Sequence, residues 1–380
     1  MGRGRQSDGV DVPASEMKKW YVIHGVYHET ISLIPLFLFF RFDSNYHFVV
    51  PEFSEATDFK LNFNKAVEEF KEAKALGVTT RPVVLGPISF LILGKAGKDA
   101  TPGFQPITLL PKLIPIYETL LGDLKAAGAE WVQVDEPVLV LDSAATLESR
   151  FSAAYTALSK VAPNILLTTY FSRLDSNLNY VAKLPIAGLH IDLDRAPEQL
   201  DEVLKALKPT LIILSLGLVS GRNIWKTDFE FAIELGRRAV EALGQDRVIV
   251  ATSSSLLHIP VTLASEKKLS EEQKDWFSFA LEKASEVTTI AAVLSGSQDP
   301  DIATALKANK VSISKRREFE SASDDTVRKR VAAITSDQLE RRSPFTVRKE
   351  VQAKHLNLPK FPTTTIGSFP VCRISNLSLP

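Results

Sequence analysis

Cysteine is almost missing from this chain. Cys372 is the one thiol in 380 residues, so no disulfide can form within the chain and no cluster of thiolates can hold a metal. Net charge is missing too. The 45 Lys and Arg balance 45 Asp and Glu, which leaves no basic field for nucleic acid and no acidic tail. A membrane-spanning run is lacking as well. The most apolar stretch, residues 31–40 (ISLIPLFLFF), is about half the length a spanning helix needs. Pro35 interrupts it, and extension upstream meets His24, His28 and Glu29. Residues 1–15 are polar, with no apolar stretch directly behind their arginines, so they do not read as a secretory signal. A cytoplasmic protein with no membrane and no nucleic-acid partner is the expectation.

What is present is ordinary in amount. Apolar residues make up 45% and charged residues 24%, as in soluble globular proteins. The length allows one large α/β domain with extra segments, or two modest domains. The chain is organised around Trp131-Val132-Gln133-Val134-Asp135-Glu136-Pro137, a strand-forming run that meets two carboxylates and a proline. A helical pattern precedes it over 113–128, ending at a glycine suited to a C-cap. Another follows over about 143–162.

Seven strand candidates follow one another, at 46–51, 80–85, 131–134, 165–170, 187–191, 211–216 and 248–251. Helix-like stretches separate them, clearest at 64–76 and 229–243. This alternation predicts a parallel sheet with right-handed crossovers. No Gly-x-Gly-x-x-Gly follows the first strand, and polar clusters follow nearly every strand. Both features favour a (βα)8 TIM-type barrel over a doubly wound sheet, with one of eight strands absent. Past Pro300 the composition turns to Lys, Arg, Glu and Ala. Residues 301–362 read as a charged helical linker, and a new strand-like run begins at 363.

Several residues are candidates for chemistry. Asp135 and Glu136 stand at a strand's carboxyl end, where such folds keep their ligand sites. Either is a general base or anchor, or it ties down loop amides; the two readings weigh about evenly. As strand neighbours they point to opposite faces. Asn45 precedes the first strand and reads as a turn residue or an amide-binding group. His190 and His258 read as hydrogen-bonded core or as catalysts. Ser220-Gly221-Arg222-Asn223 is an anion-holding loop or a plain turn. Ile366-Gly367-Ser368 puts a close-approach glycine beside a hydroxyl.

Taken together, several segments resemble one family, the cobalamin-independent methionine synthases, and the plant enzymes most. These are EMKKW at 16–20, FDSNYHFVVPE at 42–52, PVVLGPISF at 82–90, VQVDEP at 132–137, LSLGLVSGRNIW at 214–225, SSSLLH at 253–258 and FPTTTIGSFP at 361–370. The resemblance covers 13–20 and 42–370. It implies a protein about twice this length with two barrels. That protein transfers a methyl group from 5-methyltetrahydropteroyltriglutamate to homocysteine, and zinc in the C-terminal barrel activates the thiol. It implies a folate contact for Asn45 and a site for the amino-acid end of homocysteine or methionine at Ile366, Gly367 and Ser368. Asp135 and Glu136 resemble an acidic pair shared by both barrels and support the site, with no catalytic role.

The chain departs from the family in three places. About a hundred N-terminal residues with the first barrel strand are absent, residues 21–41 interrupt the motif MKKW-FDSNYHF, and 371–380 leave the pattern. Residues 1–41 are therefore expected to be an N-terminal segment with a foreign insert at 21–41, lying outside the core or in the place of the absent strand. Residues 42–300 are expected to form the N-terminal-type barrel, and 363–380 a truncated start of the catalytic barrel. The chain is expected to be a monomeric fragment that binds folate, with no zinc ligands and no turnover. The alternatives are a barrel-derived scaffold without a ligand, and a hydrolase pairing Glu136 with Asp192 or Asp194.

Overall fold

The computed structural model describes residues 50–319 and 324–363 in full, with the backbone of 4–5, 11–12, 26–27, 38–40 and 47–49. Asn45, Ile366, Gly367, Ser368 and Cys372 lie outside the described residues, as do most of the expected insert at 21–41 and the tail at 371–380.

Six parallel strands form the main sheet. They are β1 (Val83–Leu85), β2 (Trp131–Asp135), β3 (Asn164–Thr168), β4 (Gly188–Asp192), β5 (Ile213–Val219) and β6 (Val248–Thr252). Each strand lies beside its sequence neighbour, from β1 at one end to β6 at the other. Parallel neighbours need a crossover of a dozen residues or more, and helices supply most of them. Between strands lie α2 (Pro87–Ile92), α3 (Leu110–Ala126), α4 (Glu148–Val161), α5 (Leu200–Leu207) and α6 (Phe229–Leu243), while α1 (Lys65–Ala75) precedes β1 and α7 (Ala280–Leu294) and α8 (Pro300–Glu318) follow β6. Among the described residues the sheet does not close into a barrel.

The α/β class and six of the seven expected strands are in place. The seventh, expected over 46–51, differs. His47–Val49 pairs antiparallel with Leu38–Phe40, outside the parallel sheet. A run of Leu and Phe only a few residues upstream offers a local edge, and local closure costs less chain entropy than a distant pairing. Val26–Tyr27 likewise pairs antiparallel with Lys60–Leu61. The two described pieces of 21–41 therefore lie outside the six-stranded sheet.

The sheet has two chemically different faces, because successive side chains on a strand point opposite ways. On one face Val132, Val134, Ile165, Leu167, Leu189, Ile191, Leu214 and Leu216 join the hydrophobic core. The helices meet that core through stripes at helical spacing. On α4 the stripe is Phe151, Ala154, Tyr155 and Leu158, and on α5 it is Leu200, Val203, Leu204 and Leu207. Caps fix the helix ends. Asn64 accepts the Val67 amide at the start of α1, and Asp228 accepts the Glu230 and Phe231 amides at the start of α6. Gly128, after α3, holds φ at 92°, a value glycine adopts without a Cβ penalty.

The chain divides into two compact units, 1–316 and 317–380. In the second, the described helices Asp325–Ala332, Ser336–Leu339 and Phe345–Leu356 bury no residue. Asp324 caps the first of them, and Asn357, at φ 43°, ends the last.

Candidate functional site

Strand register lines up polar side chains on the face opposite the core. Asp135 stands beside Thr168, Thr168 beside His190, and His190 beside Ser215. Cross-strand neighbours share a face, so the four form a row across β2 to β5. His190 Nδ1 lies 2.9 Å from Ser215 Oγ, and Nε2 lies 3.5 Å from the Ser253 carbonyl. The ring is 4% exposed. Burial drives its pKa down to about 4, partly offset by the Ser253 carbonyl. His190 is a neutral, hydrogen-bonded residue at neutral pH.

Asp135 belongs to this face. Its Oδ1 accepts from Gln133 Nε2 at 2.9 Å and its Oδ2 from the Tyr170 hydroxyl at 3.4 Å. Arg81 Nη2 donates to Gln133 Oε1 at 3.3 Å. A carboxylate, an amide and a guanidinium thus form a connected set at the carboxyl end of β2.

Glu136 points the other way. It is fully buried, and its carboxylate accepts the amides of Ile88 at 3.2 Å and Ser89 at 2.7 Å, and the Tyr155 hydroxyl at 3.2 Å. The two amides belong to the first turn of α2, where no intrahelical acceptor exists. Burial pushes its pKa up to about 7, against the donors from Ser89, Ile88 and Tyr155, which favour the charged form. The approach is so close that a Cβ on Gly86 would stand 2.2 Å from the carboxyl group. Of the two readings of this acidic pair, Glu136 has the geometry of the one that ties down amides.

Asp192 behaves similarly. It accepts the amides of Phe171 at 2.9 Å, Asp194 at 3.0 Å and Arg195 at 2.8 Å. Burial raises its pKa to about 6, and those amides oppose the rise. Both carboxylates of a Glu136–Asp192 hydrolase pair are therefore occupied by backbone donors.

At the rim, Phe171 holds φ at 75°, which costs an L-residue about 1–2 kcal/mol. The Asp192 bond to its amide holds it there. Three groups surround its ring. Tyr170 meets it edge-on at 4.7 Å, the His258 ring lies at 5.9 Å, and the Arg222 guanidinium lies 5.3 Å over it. Arg222 belongs to the loop 220–223, whose turn is made by Ser220 Oγ accepting the amides of Arg222 and Asn223, each at 3.4 Å. Gly221 donates its amide to Ser253 Oγ at 3.1 Å. The loop 220–223 and His258, separate in the sequence, thus meet around Phe171, and Ser253 ties that loop in place. Phe171 itself gives no signal in the run TTYFS, because positive φ at a bulky residue follows from its tertiary bond to Asp192.

Among the described residues no three of His, Cys, Asp and Glu gather as a metal would require. No described helix is long and apolar enough to cross a membrane.

Comparison with known proteins follows the same lines. The chain is 50% identical to the 5-methyltetrahydropteroyltriglutamate–homocysteine methyltransferase of Candida albicans, over 97% of this chain and 46% of that protein. It is 48% identical to the enzyme of that name from Saccharomyces cerevisiae, with the same coverage. With that from Xylella fastidiosa it shares 45% identity, over 97% of this chain and 45% of the other. The chain therefore spans about half the length of these curated relatives. A solved B12-independent methionine synthase from Shewanella, in complex with selenomethionine, aligns over 63% of this chain and 69% of its own, with a TM-score of 0.48 and 13% identity. Residues 37–243 match the cobalamin-independent synthase N-terminal domain. With that match, which takes in β1 to β5, the polar row and the rim loop, the chain belongs to the cobalamin-independent methionine synthase family.

Proposed function

We propose that the chain is the donor-side part of such a synthase, binding 5-methyltetrahydropteroyltriglutamate without completing methyl transfer to homocysteine. The match of residues 37–243 to the N-terminal domain carries this reading. The folate contact is assigned to Asn45. Ile366, Gly367 and Ser368 are assigned to the amino-acid end of homocysteine or methionine, and Asp135 and Glu136 support the site without catalysing. The six parallel strands are read as part of a (βα)8 barrel over 42–300. A charged helical linker at 301–362 and the start of a second barrel at 363–380 follow it.

Methyl transfer needs a homocysteine thiolate, and a free thiol near pKa 8.5 is mostly protonated at neutral pH. In the family zinc supplies that thiolate. The resemblance puts the zinc ligands in the family's C-terminal barrel, and the part read here is the donor side. What its own residues do is bind and orient the donor. The chain is read as a monomer acting on small molecules in the cytoplasm.

The test is a titration of purified protein with the triglutamate donor and with its monoglutamate form, followed by addition of homocysteine and zinc. Tighter binding of the triglutamate, weakened by Asn45→Ala, and no methionine formed are expected. Methionine production would overturn the reading of the chain as inactive. Absence of donor binding would leave the scaffold reading instead.

A further inference from the structure

Away from the polar row, a cavity of about 560 Å³ is lined by Lys226, by Phe229 at the start of α6, by residues of the segment 263–278 and by residues of α7 and α8. That is the size of small-molecule pockets. Part of its lining is polar and buried: Ser278 is 1% exposed, Glu286 7% and Asn309 5%. The charges of the lining are unevenly compensated. Lys226 pairs with Asp275 and Lys274 with Glu271, each at 2.8 Å. Lys283, adjacent on α7, donates to the Trp225 carbonyl at 2.8 Å, and the Glu286 charge favours its protonated form against the cost of burial.

Glu282 is different. Its carboxylate is held by neutral donors, the Thr262 hydroxyl at 2.8 Å, the Leu263 amide at 3.2 Å and the Phe279 amide at 3.1 Å. Among the described residues no lysine or arginine forms an ion pair with it. A second observation is independent of charge. The Ser278 hydroxyl, in the same lining, is buried and has no hydrogen-bond partner, and a buried polar group left unpaired costs about 1–3 kcal/mol. Phe229, Phe277 and Leu263 add apolar wall.

We propose that this cavity binds a small aliphatic amine, with its ammonium shared between the Glu282 carboxylate and the Ser278 hydroxyl oxygen. Its methylenes lie against Phe229, Phe277 and Leu263. A carboxylate held only by neutral donors favours a cation, and an ammonium brings the three donors that both oxygens can accept. An anion would face the uncompensated charge of Glu282. The site is separate from the donor-binding reading and does not depend on it. Occupancy also has a local signature, because Glu286 and Asn309, in the same lining, hold Thr227 and the Phe229 amide.

The test uses the full chain titrated calorimetrically with cadaverine, with pentanediol as the neutral analogue and glutarate as the anionic one. Cadaverine is expected to bind and to slow hydrogen exchange at the Thr227 and Phe229 amides, while pentanediol and glutarate do neither. Glu282→Gln and, separately, Ser278→Ala should each weaken cadaverine about tenfold or more. Ser278→Ala removes a hydroxyl with no partner in the fold, so it remains informative if Glu282→Gln fails to fold. Pentanediol binding as tightly as cadaverine overturns the proposal. So does cadaverine affinity unchanged in Ser278→Ala, or no cadaverine binding at millimolar concentration.

Discussion

The Ser89 amide donates to the Glu136 carboxylate at 2.7 Å, and this bond ties the start of α2 to the end of β2. Glu136→Ala removes the acceptor for two buried amides and for the Tyr155 hydroxyl. Each unsatisfied buried group costs about 1–3 kcal/mol, so a loss of about 3 kcal/mol or more is expected in urea unfolding. A loss below about 1 kcal/mol would show that water replaces the carboxylate there.

The same carboxylate gives a pH dependence of known sign. Its folded pKa of about 7 lies above the usual unfolded glutamate value. The folded state therefore holds the proton more tightly, and stability falls as pH rises from roughly 4.3 to 7. Glu136→Gln removes that slope. The advantage of wild type over this variant should be larger at pH 5 than at pH 7.5; equal differences at both would refute it.

His190 works in the opposite direction. Its folded pKa of about 4 lies below the unfolded value, so its contribution is present above about pH 6.5 and is lost as pH falls toward 4. His190→Gln keeps a polar partner for Ser215 and cannot acquire the buried charge. Its stability relative to wild type should improve steadily from pH 6.5 to 4. Parallel curves over that range would mean that His190 is already charged or accessible.

Phe171 inverts a familiar ranking. At φ 75° an alanine retains the left-handed penalty while losing the contacts to Tyr170 and Arg222, whereas glycine loses the contacts and is free of the penalty. Phe171→Gly should be more stable than Phe171→Ala by about 1 kcal/mol. The usual order, alanine above glycine, would show that the backbone relaxes when the ring is removed.

Gly221 is packed against backbone. A Cβ there would stand 2.3 Å from the Ser254 carbonyl oxygen, which has no flexible end to swing away. Gly221→Ala should displace the loop that carries Arg222 and weaken donor binding more than it lowers the melting temperature. The donor titration and a thermal scan measure the two effects, and donor affinity equal to wild type would count against it.

Legibility in the sequence followed distance along the chain. The strands β1 to β6 read directly, because each is a short apolar run bounded by turns, and Phe229–Leu243 read as a helix from its own periodicity. The opposite facing of Asp135 and Glu136 also followed from strand geometry. What was not legible depends on partners far away. Glu136 meets Ser89 across 47 residues and Phe171 meets Asp192 across 21, and nothing local in DEP or TYF announces either bond. The family motifs at 82–90 and 132–137 marked the first neighbourhood without saying which side chain served the backbone and which faced the open row, and no motif covered the second. Pairing of His47–Val49 with Leu38–Phe40 was hidden for the opposite reason, since a strand signal does not name its partner.

The bonds of Asn309 bear on where this protein can be cut. Its side chain accepts the Phe229 amide and donates to the Thr227 carbonyl, although composition alone places it beyond the barrel, in charged helical sequence. A polypeptide ended at residue 300 would strip both groups of their partner and uncover the entry to α6, even though every strand of the sheet would still be present. A piece that keeps both bonds runs at least through Asn309, and the first compact unit ends at residue 316. Trimming by sequence character would yield a protein that folds its sheet and frays at the loop leading from β5.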